Sequence, residues 1–359
     1  MLIAAVSGRA LAAAAREAGY APLVADMFGD DDTVALASAH LTVPGSLSRG
    51  PAGRPLLAAL ARLAKGRAPI GVVCGSGLEG RPALLRTLTR YRLLGTPPAA
   101  VARLKDPFAF AALCRSCGVP HPGVAMVPDG TGAWLEKRAG AGGGAHIRPA
   151  RGRVRPPRYV QRRVSGRAVS ALLLGDGARA IVLGFSEQWV APTPSAPFRY
   201  GGAVRPASLT AADAAALADA GARVAAAVGV AGLASADFLL RDDGYDLLEI
   251  NPRPGATLDV FAGARLFAKH LAACDGNLPD RPPFLRGAAA AAVVYAPRQL
   301  VVPDRFAWPD WSADRQRPGP VAAGMPLCTV RAATDTPEAA RAQVQHRAAE
   351  LLDMIGEAP

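Results

Sequence analysis

The sequence predicts an α/β protein: a parallel, doubly wound sheet first, a catalytic part of α+β character next, and a small β-rich segment last. Three observations carry this expectation. Short apolar runs alternate with helical stretches through the first hundred residues, the pattern of a parallel sheet. Further on, strands come in pairs about tight turns, as at Gly175-Asp176-Gly177 and Arg241-Asp242-Asp243-Gly244. A chain of 359 residues has room for two or three domains and a sizeable core.

Composition narrows the class. Hydrophobic residues make up 50% and aromatics 6%, and alanine supplies much of the apolar count, so shallow, Ala-rich helices are expected. Of 41 Lys+Arg, only Lys65, Lys105, Lys137 and Lys269 are lysine, leaving 37 arginines. Arginine is thus the default cation, which weakens a nucleic-acid reading of the +12 charge and makes each lysine informative. No apolar run approaches the ~18 residues of a membrane span, and Met1 to Val6 reads as a strand rather than a signal peptide. Five cysteines argue against a disulfide framework and for a reducing, cytoplasmic setting.

In chain order, residues 2–6 read as a strand, 10–18 as a helix stopped by Gly19, and 21–25 as a second strand ending at Asp26. Helix 55–64, strand 70–73 and helix 82–91 continue the alternation. Gly75-Ser76-Gly77-Leu78-Glu79 follows a strand, at the edge where doubly wound sheets bind ligands; a substrate contact and a plain turn are both open. Gly95-Thr96-Pro97-Pro98 marks a boundary, giving a Rossmann-like domain over 1–97. Lys105 precedes a helix at 108–117. Strand 134–138 ends in Lys137-Arg138 and opens a glycine-rich loop, Ala139 to Ile147, holding Gly142, Gly143 and Gly144. Glycines there can turn successive N–H groups toward an anion.

Seven arginines lie between Arg151 and Arg167 without the interleaved aromatics of a nucleic-acid surface, so no nucleic-acid partner is expected. A hairpin spans 169–174 and 178–185. A proline-rich loop then leads to Arg199-Tyr200-Gly201-Gly202, where Arg199 suits a substrate carboxylate. Helix 211–228 is amphipathic. Strand 236–240, a turn, and strand 245–250 form the central hairpin, followed by Gly255 to Leu258 and a helix at 259–273. A strand at 289–295, another at 326–330 and a helix at 338–355 close the chain.

The central hairpin ends in Glu249-Ile250-Asn251-Pro252-Arg253. Alternate residues of a strand share a face, so Glu249 and Asn251 point together and Arg253 follows with the same parity. A four-residue loop would set Asp237 opposite Leu248 and on the other face from Glu249. A five-residue loop through Tyr245 would pair Asp237 with Glu249. The second register is expected, because Asp237, Glu249 and Asn251 together make an oxygen-only site for Mg²⁺. An adjacent guanidinium suits phosphate.

These residues resemble the metal-binding end of the ATP-grasp superfamily, whose members join a carboxylate to an amine or similar nucleophile through an acyl phosphate. The resemblance implies ATP and Mg²⁺. It implies a small lobe at 98–160 bearing the flap, a central lobe with the metal site at 161–285, and a C-terminal cap at 286–359. It also implies that Lys105, Lys137 and the loop glycines hold the phosphates. Tyr159-Val160-Gln161-Arg162-Arg163-Val164 is similar to the hinge that contacts adenine, through Gln161, Arg162 and Val164. The usual glutamate and ribose carboxylate are absent, Gln161 and Ala168 standing there. Gly201, Gly202 and Thr257 would shape the substrate side, while Arg253 and Lys137 would act on the transferring phosphoryl group. Gly184 to Trp189, with Arg199 to Gly202 and Asn251 to Pro254, looks like the branch containing tyramine–glutamate ligases of methanofuran-type cofactor synthesis. The expected partners are a small carboxylate, with glutamate leading, and an amine; a homo-oligomer is compatible with the sequence. The rivals are an ATP-dependent carboxylase of the biotin or purine type and a basic nucleic-acid-binding protein.

Overall fold

The computed structural model describes residues 1–357. Leu2–Ala4, Leu23–Asp26, Ala39–Thr42 and Val72–Cys74 form a four-stranded parallel sheet with Leu2–Ala4 and Leu23–Asp26 in the middle. Helices Arg9–Glu17, Gly53–Ala64 and Pro82–Leu88 connect or cover these strands. The parallel arrangement expected from the alternation is present. Helix Asp31–Leu36 and strand Ala39–Thr42 were not anticipated, because an acidic run and a half-polar Ala-His-Leu-Thr carry weak signals. The helix expected to reach Tyr91 ends at Leu88, since Arg92 to Leu94 hydrogen-bond to Val72 along the sheet edge.

Helix Pro98–Lys105 leads directly into helix Pro107–Ser116, with Asp106 capping the second through the N–H groups of Phe108 and Ala109, both 2.9 Å away. A small antiparallel sheet follows in the order Val124–Ala125, Arg158–Arg162, Trp134–Arg138, Arg148–Pro149. The glycine loop leaves it between Trp134–Arg138 and Arg148–Pro149.

The largest sheet has eight strands, in the order Gly244–Asn251, Ala231–Arg241, Arg167–Asp176, Ala180–Val190, Tyr200–Arg205, Ala288–Tyr295, Pro326–Thr334, Ser312–Ala313. Arg167–Asp176 is buried on both faces. Leu172 and Leu174 join a core shared with Ile3 and Leu11 of the N-terminal domain. Val169, Ala171 and Leu173 pack with Leu217 and Val224 of helix Ala211–Val228 on the other side. The C-terminal segment is β-rich as expected, and its two long strands continue the central sheet. Five successive alanines, Ala288 to Ala292, let that sheet pack closely in a core with helix Pro337–Glu357.

The helix expected over 259–273 begins only at Leu266. Gly263 and Arg265 take left-handed backbone angles, φ +82° and +50°, and Asp259 is held by Arg9, so this stretch stays irregular. Among the described residues no helix is long and apolar enough to cross a membrane.

Candidate active site

The central hairpin resolves the register by a route neither loop offered. Its turn is tight, with Arg241 opposite Gly244 and Leu240 opposite Tyr245. Continued, that register would set Asp237 opposite Leu248. A β-bulge at Leu248 inserts one residue between Leu247, which faces Phe238, and Glu249, which faces Asp237. The expected five-residue loop is therefore replaced by a bulge, and the bulge flips the parity of everything after it. Asp237 and Glu249 now lie directly opposite, with Asn251 two pairs further along, across from Ser235 and on the same face as Glu249.

Hydrogen bonds tie this face together. Asn251 Nδ2 donates to Asp237 Oδ2 at 3.0 Å and to Glu249 Oε1 at 3.3 Å. Ser170 Oγ donates to Asp237 Oδ1 at 2.6 Å. Lys105, at the end of its helix and with only 7% of its side chain exposed, donates to Glu249 Oε2 at 3.1 Å and to Asn251 Oδ1 at 2.7 Å. Burial and the facing Glu249 raise the Asp237 carboxyl to about 6, although Ser170 and Lys105 oppose the shift. Burial would also raise Glu249, but Lys105 and Lys137 overcome it and hold that carboxyl down at about 2.

This donor set fits Mg²⁺. It offers oxygens only, which suit a hard cation, and the raised Asp237 reports two carboxylates in want of more positive charge. Among the described residues no group of three or more His, Cys, Asp and Glu is placed to hold a metal; the oxygens on this face come from two carboxylates and the amide of Asn251.

Lys137 reaches the same region from the small lobe. Its Nζ donates to Gln161 Oε1 at 2.6 Å, and burial lowers its pKa against the pull of Glu249 and Asp237. Gln161 is buried, with its oxygen taken by Lys137 and its amide 3.4 Å from His121 Nε2. Arg162 is spent on Asp129 at 2.6 Å and lies over the Trp134 ring, while Val164 is half-buried.

The glycine loop closes over this face. A Cβ on Gly140 would lie 2.3 Å from the Cα of Gly80 in the N-terminal domain. A Cβ on Gly144 would lie 1.9 Å from the carbonyl oxygen of Phe198. Both glycines also have positive φ, so only glycine permits these approaches. Gly143 accepts a hydrogen bond from the Tyr200 N–H at 2.9 Å, and Gly142 lies exposed nearby.

Arg253 stands at the strand's exit, its Nε bonded to Glu79 Oε1 at 2.5 Å. Glu79 is buried, and its other oxygen accepts the N–H groups of Gly77 and Leu78 at 2.7 and 2.9 Å. Burial opposes its ionisation, yet Arg253 and Lys105 keep its pKa low. Glu79 thus orients Arg253 although the two lie 174 positions apart in the chain. Its position just after a strand was the available signal, but nothing in the sequence linked it to Arg253. His146, in the loop, was passed over entirely. Burial drives its pKa down to about 4, and its Nδ1 has no partner.

The expected substrate side is organised differently. Arg199 lies over the Tyr295 ring, 3.6 Å from its centroid, and donates to the carbonyls of Ala191 and Gly324. Gly201 and Gly202 sit in a sheet strand against Trp189, where a Cβ would come within 2.8 and 2.3 Å of the indole. Their bareness serves packing. Thr257 is buried in a short 3₁₀ turn just past Arg253. Three of the Arg151–Arg167 arginines are engaged in ion pairs: Arg158 with Glu136, Arg162 with Asp129 and Arg167 with Glu187.

Residues 111–257 match the family model of the ATP-grasp domain. The chain carries an ATP-grasp domain. Solved structures with this fold include a biotin carboxylase–β,γ-ATP complex from Campylobacter jejuni, at 13% identity and TM-score 0.73, covering 95% of this chain and 89% of that one. The biotin carboxylase domain dimer of Hydrogenobacter thermophilus 2-oxoglutarate carboxylase, with MgADP and bicarbonate, gives 12% and 0.74, covering 96% and 88%. Rhizobium etli pyruvate carboxylase gives 18% and 0.73, covering 96% of this chain and 36% of that one, so the chain spans about a third of that protein. At these identities the likeness establishes the fold. No curated protein matches the sequence. The expected superfamily and the enzyme class that goes with it are borne out, while the tyramine–glutamate branch gains no support from these matches.

Proposed function

We propose that this ATP-grasp protein is an ATP-dependent ligase that joins a carboxylate to an amine through an acyl phosphate, releasing ADP and phosphate. One observation carries the reading: two of the four lysines, Lys105 and Lys137, converge from outside the central sheet on the one sheet face that bears Asp237, Glu249 and Asn251. Lys105, Lys137 and the loop around Gly142, Gly143 and Gly144 would hold the phosphates, and Gln161 to Val164 would border the adenine. Binding would require Lys137 to exchange Gln161 for a phosphate oxygen. Asp237, Glu249 and Asn251 would hold Mg²⁺, which when bound would neutralise phosphate charge. Arg253, fixed by Glu79, would stabilise charge on the transferring phosphoryl group.

The substrate carboxylate attacks the γ-phosphorus, and the amine then displaces phosphate from the acyl carbon. Glutamate is the acid to test first. Arg199, committed to Tyr295, offers it little, so a second carboxylate would rely on other groups. Five unpaired cysteines support a reducing, cytoplasmic setting. The Hydrogenobacter neighbour is a dimer, which supports a homo-oligomer, checked by light scattering.

An ¹⁸O-labelled substrate carboxylate should pass one label into the released phosphate. Label retained wholly in the product, or AMP and pyrophosphate as products, would refute the acyl-phosphate route. The biotin carboxylase fold favours a second reading, ATP-dependent carboxylation. ADP release that requires bicarbonate and no amine would select it.

A further inference from the structure

We propose that His146, in the glycine loop, carries a proton that enters the site with the nucleotide: its ring is neutral before ATP binds and becomes a cation that donates to a phosphate oxygen once ATP is bound. This rests on the ligase reading above. It gives the loop a switchable charge that its backbone N–H groups do not have.

The loop is held on both sides of the ring. The Ile147 N–H donates to the Gly144 carbonyl at 3.1 Å, so His146 sits inside a tight turn. Before it, the Ala139 N–H donates to the Pro157 carbonyl at 2.8 Å. Gly140 lies against Gly80 and Gly144 against Phe198, each too closely for a side chain. The ring itself is half-buried.

Its surroundings are charged. Glu249 faces it from the central hairpin, Lys137 from strand Trp134–Arg138 and Lys105 from the end of helix Pro98–Lys105. The two lysines are those that the ligase reading gives to the phosphates. Burial, joined by both lysines, pushes the ring down to about 4, while Glu249 and the Gly142 carbonyl pull the other way. The carboxylate of Glu249 is already engaged by Lys105 and Asn251. A neutral imidazole has one donor and one acceptor. Nδ1 is buried without a partner, so one of its two nitrogens goes unmatched, which costs free energy.

A second cation would not relieve this, because two ammonium groups face the ring already. An anion would. One opposite charge within about 4–6 Å moves a pKa by about 1–3, and a triphosphate brings several. Starting from about 4, more than one such charge carries the ring past neutrality. Both nitrogens of an imidazolium donate, so one can serve the Gly142 carbonyl and the other a phosphate oxygen. The proton comes from solvent, and the site gains one positive charge.

Calorimetric titration of the full chain with Mg·ATP at pH 7, repeated in HEPES and in Tris, counts the protons taken up with the nucleotide, since the two buffers differ in ionisation enthalpy. The wild type should take up about half a proton or more beyond either His146→Gln or His146→Asn, neither of which can charge. The asparagine keeps a donor near the position of Nδ1, and circular dichroism verifies the fold of both. A raised pKa in the complex adds affinity at low pH that is lost as pH rises through it. The affinity lost in His146→Gln should therefore be about ten-fold at pH 6.5 and shrink toward nothing by pH 9. Uptake that persists in both variants belongs to Lys137, whose pKa burial also lowers, and overturns the assignment. An affinity loss equal at pH 6.5 and pH 9 would make His146 a structural residue of the loop. The two readings fail separately. Absent nucleotide binding by the wild type refutes the ligase reading, whereas nucleotide binding with equal proton counts refutes only the role of His146.

Discussion

Two partly buried charge clusters in this protein are balanced in opposite ways. On the central sheet face, two carboxylates, Asp237 and Glu249, meet two lysines, Lys105 and Lys137, that arrive from outside that sheet. At the domain junction, one arginine faces three acids, and two of them grip it from different parts of the chain, Asp259 from the central lobe and Asp314 from the C-terminal segment. Lysine contacts of 3.1 and 2.7 Å from Lys105 and 2.6 Å from Lys137 can be exchanged for a ligand oxygen. A guanidinium forked onto two carboxylates locks three segments together. The contacts of the first cluster are exchangeable and those of the second tie three segments together, with Asp30 left over.

The largest expected effect breaks the rigid cluster. Arg9→Ala leaves Asp259 and the half-buried Asp314 without their cation and should destabilise the protein by about 3 kcal/mol, the lower end for breaking a buried pair, read by urea unfolding. A loss below about 1 kcal/mol would show that the junction does not depend on this pair. On the exchangeable side, Glu249→Gln should lower kcat by about 10²–10³-fold, the scale of losing one electrostatic stabiliser, with ATP affinity changed far less. Equal losses in both would make Glu249 a general structural group. Lys137→Ala should weaken ATP binding about ten-fold, or about 1.4 kcal/mol, while the melting temperature holds. Unchanged affinity by calorimetry would remove Lys137 from the phosphate site.

The smallest effect concerns pH and sets Asp30 apart from its neighbours. Asp30 has a folded-state pKa near 9 against an ordinary 3.8. The folded protein therefore holds a proton that the unfolded chain releases, and this contribution to stability declines as pH rises from about 4 to about 9. Asp314, Asp26, Asp32, Arg9 and His40 surround the group in both forms. The wild type should thus lose melting temperature relative to Asp30→Asn between pH 5 and pH 9. Parallel pH profiles would show that Asp30 is not an unpaired buried acid.

Much of the site was legible because it rests on local spacing. Glu249, Asn251 and Arg253 share parity along one strand, and Lys137 stands out in a chain that otherwise uses arginine. The glycine loop was also plain, although its close approaches to Gly80 and Phe198 were not. Arg199, Gly201 and Gly202 misled because an Arg-Tyr-Gly-Gly run looks the same whether it binds a ligand or packs on Tyr295 and Trp189. The role of Glu79 was not legible because its partner, Arg253, lies far away in the chain.

By itself the sequence determined most element types, the parallel N-terminal sheet, the hairpin and the row of Glu249, Asn251 and Arg253 at the end of one strand, since these follow from periodicity and residue chemistry within a few positions. The tertiary structure alone decided the bulge at Leu248 that faces Asp237 with Glu249, because a one-residue slip costs nothing in local pattern and is settled by packing on both sheet faces. It likewise decided that Glu79 holds Arg253 and that Asp30 stands without a partner, since a buried charge is defined by what the fold brings beside it.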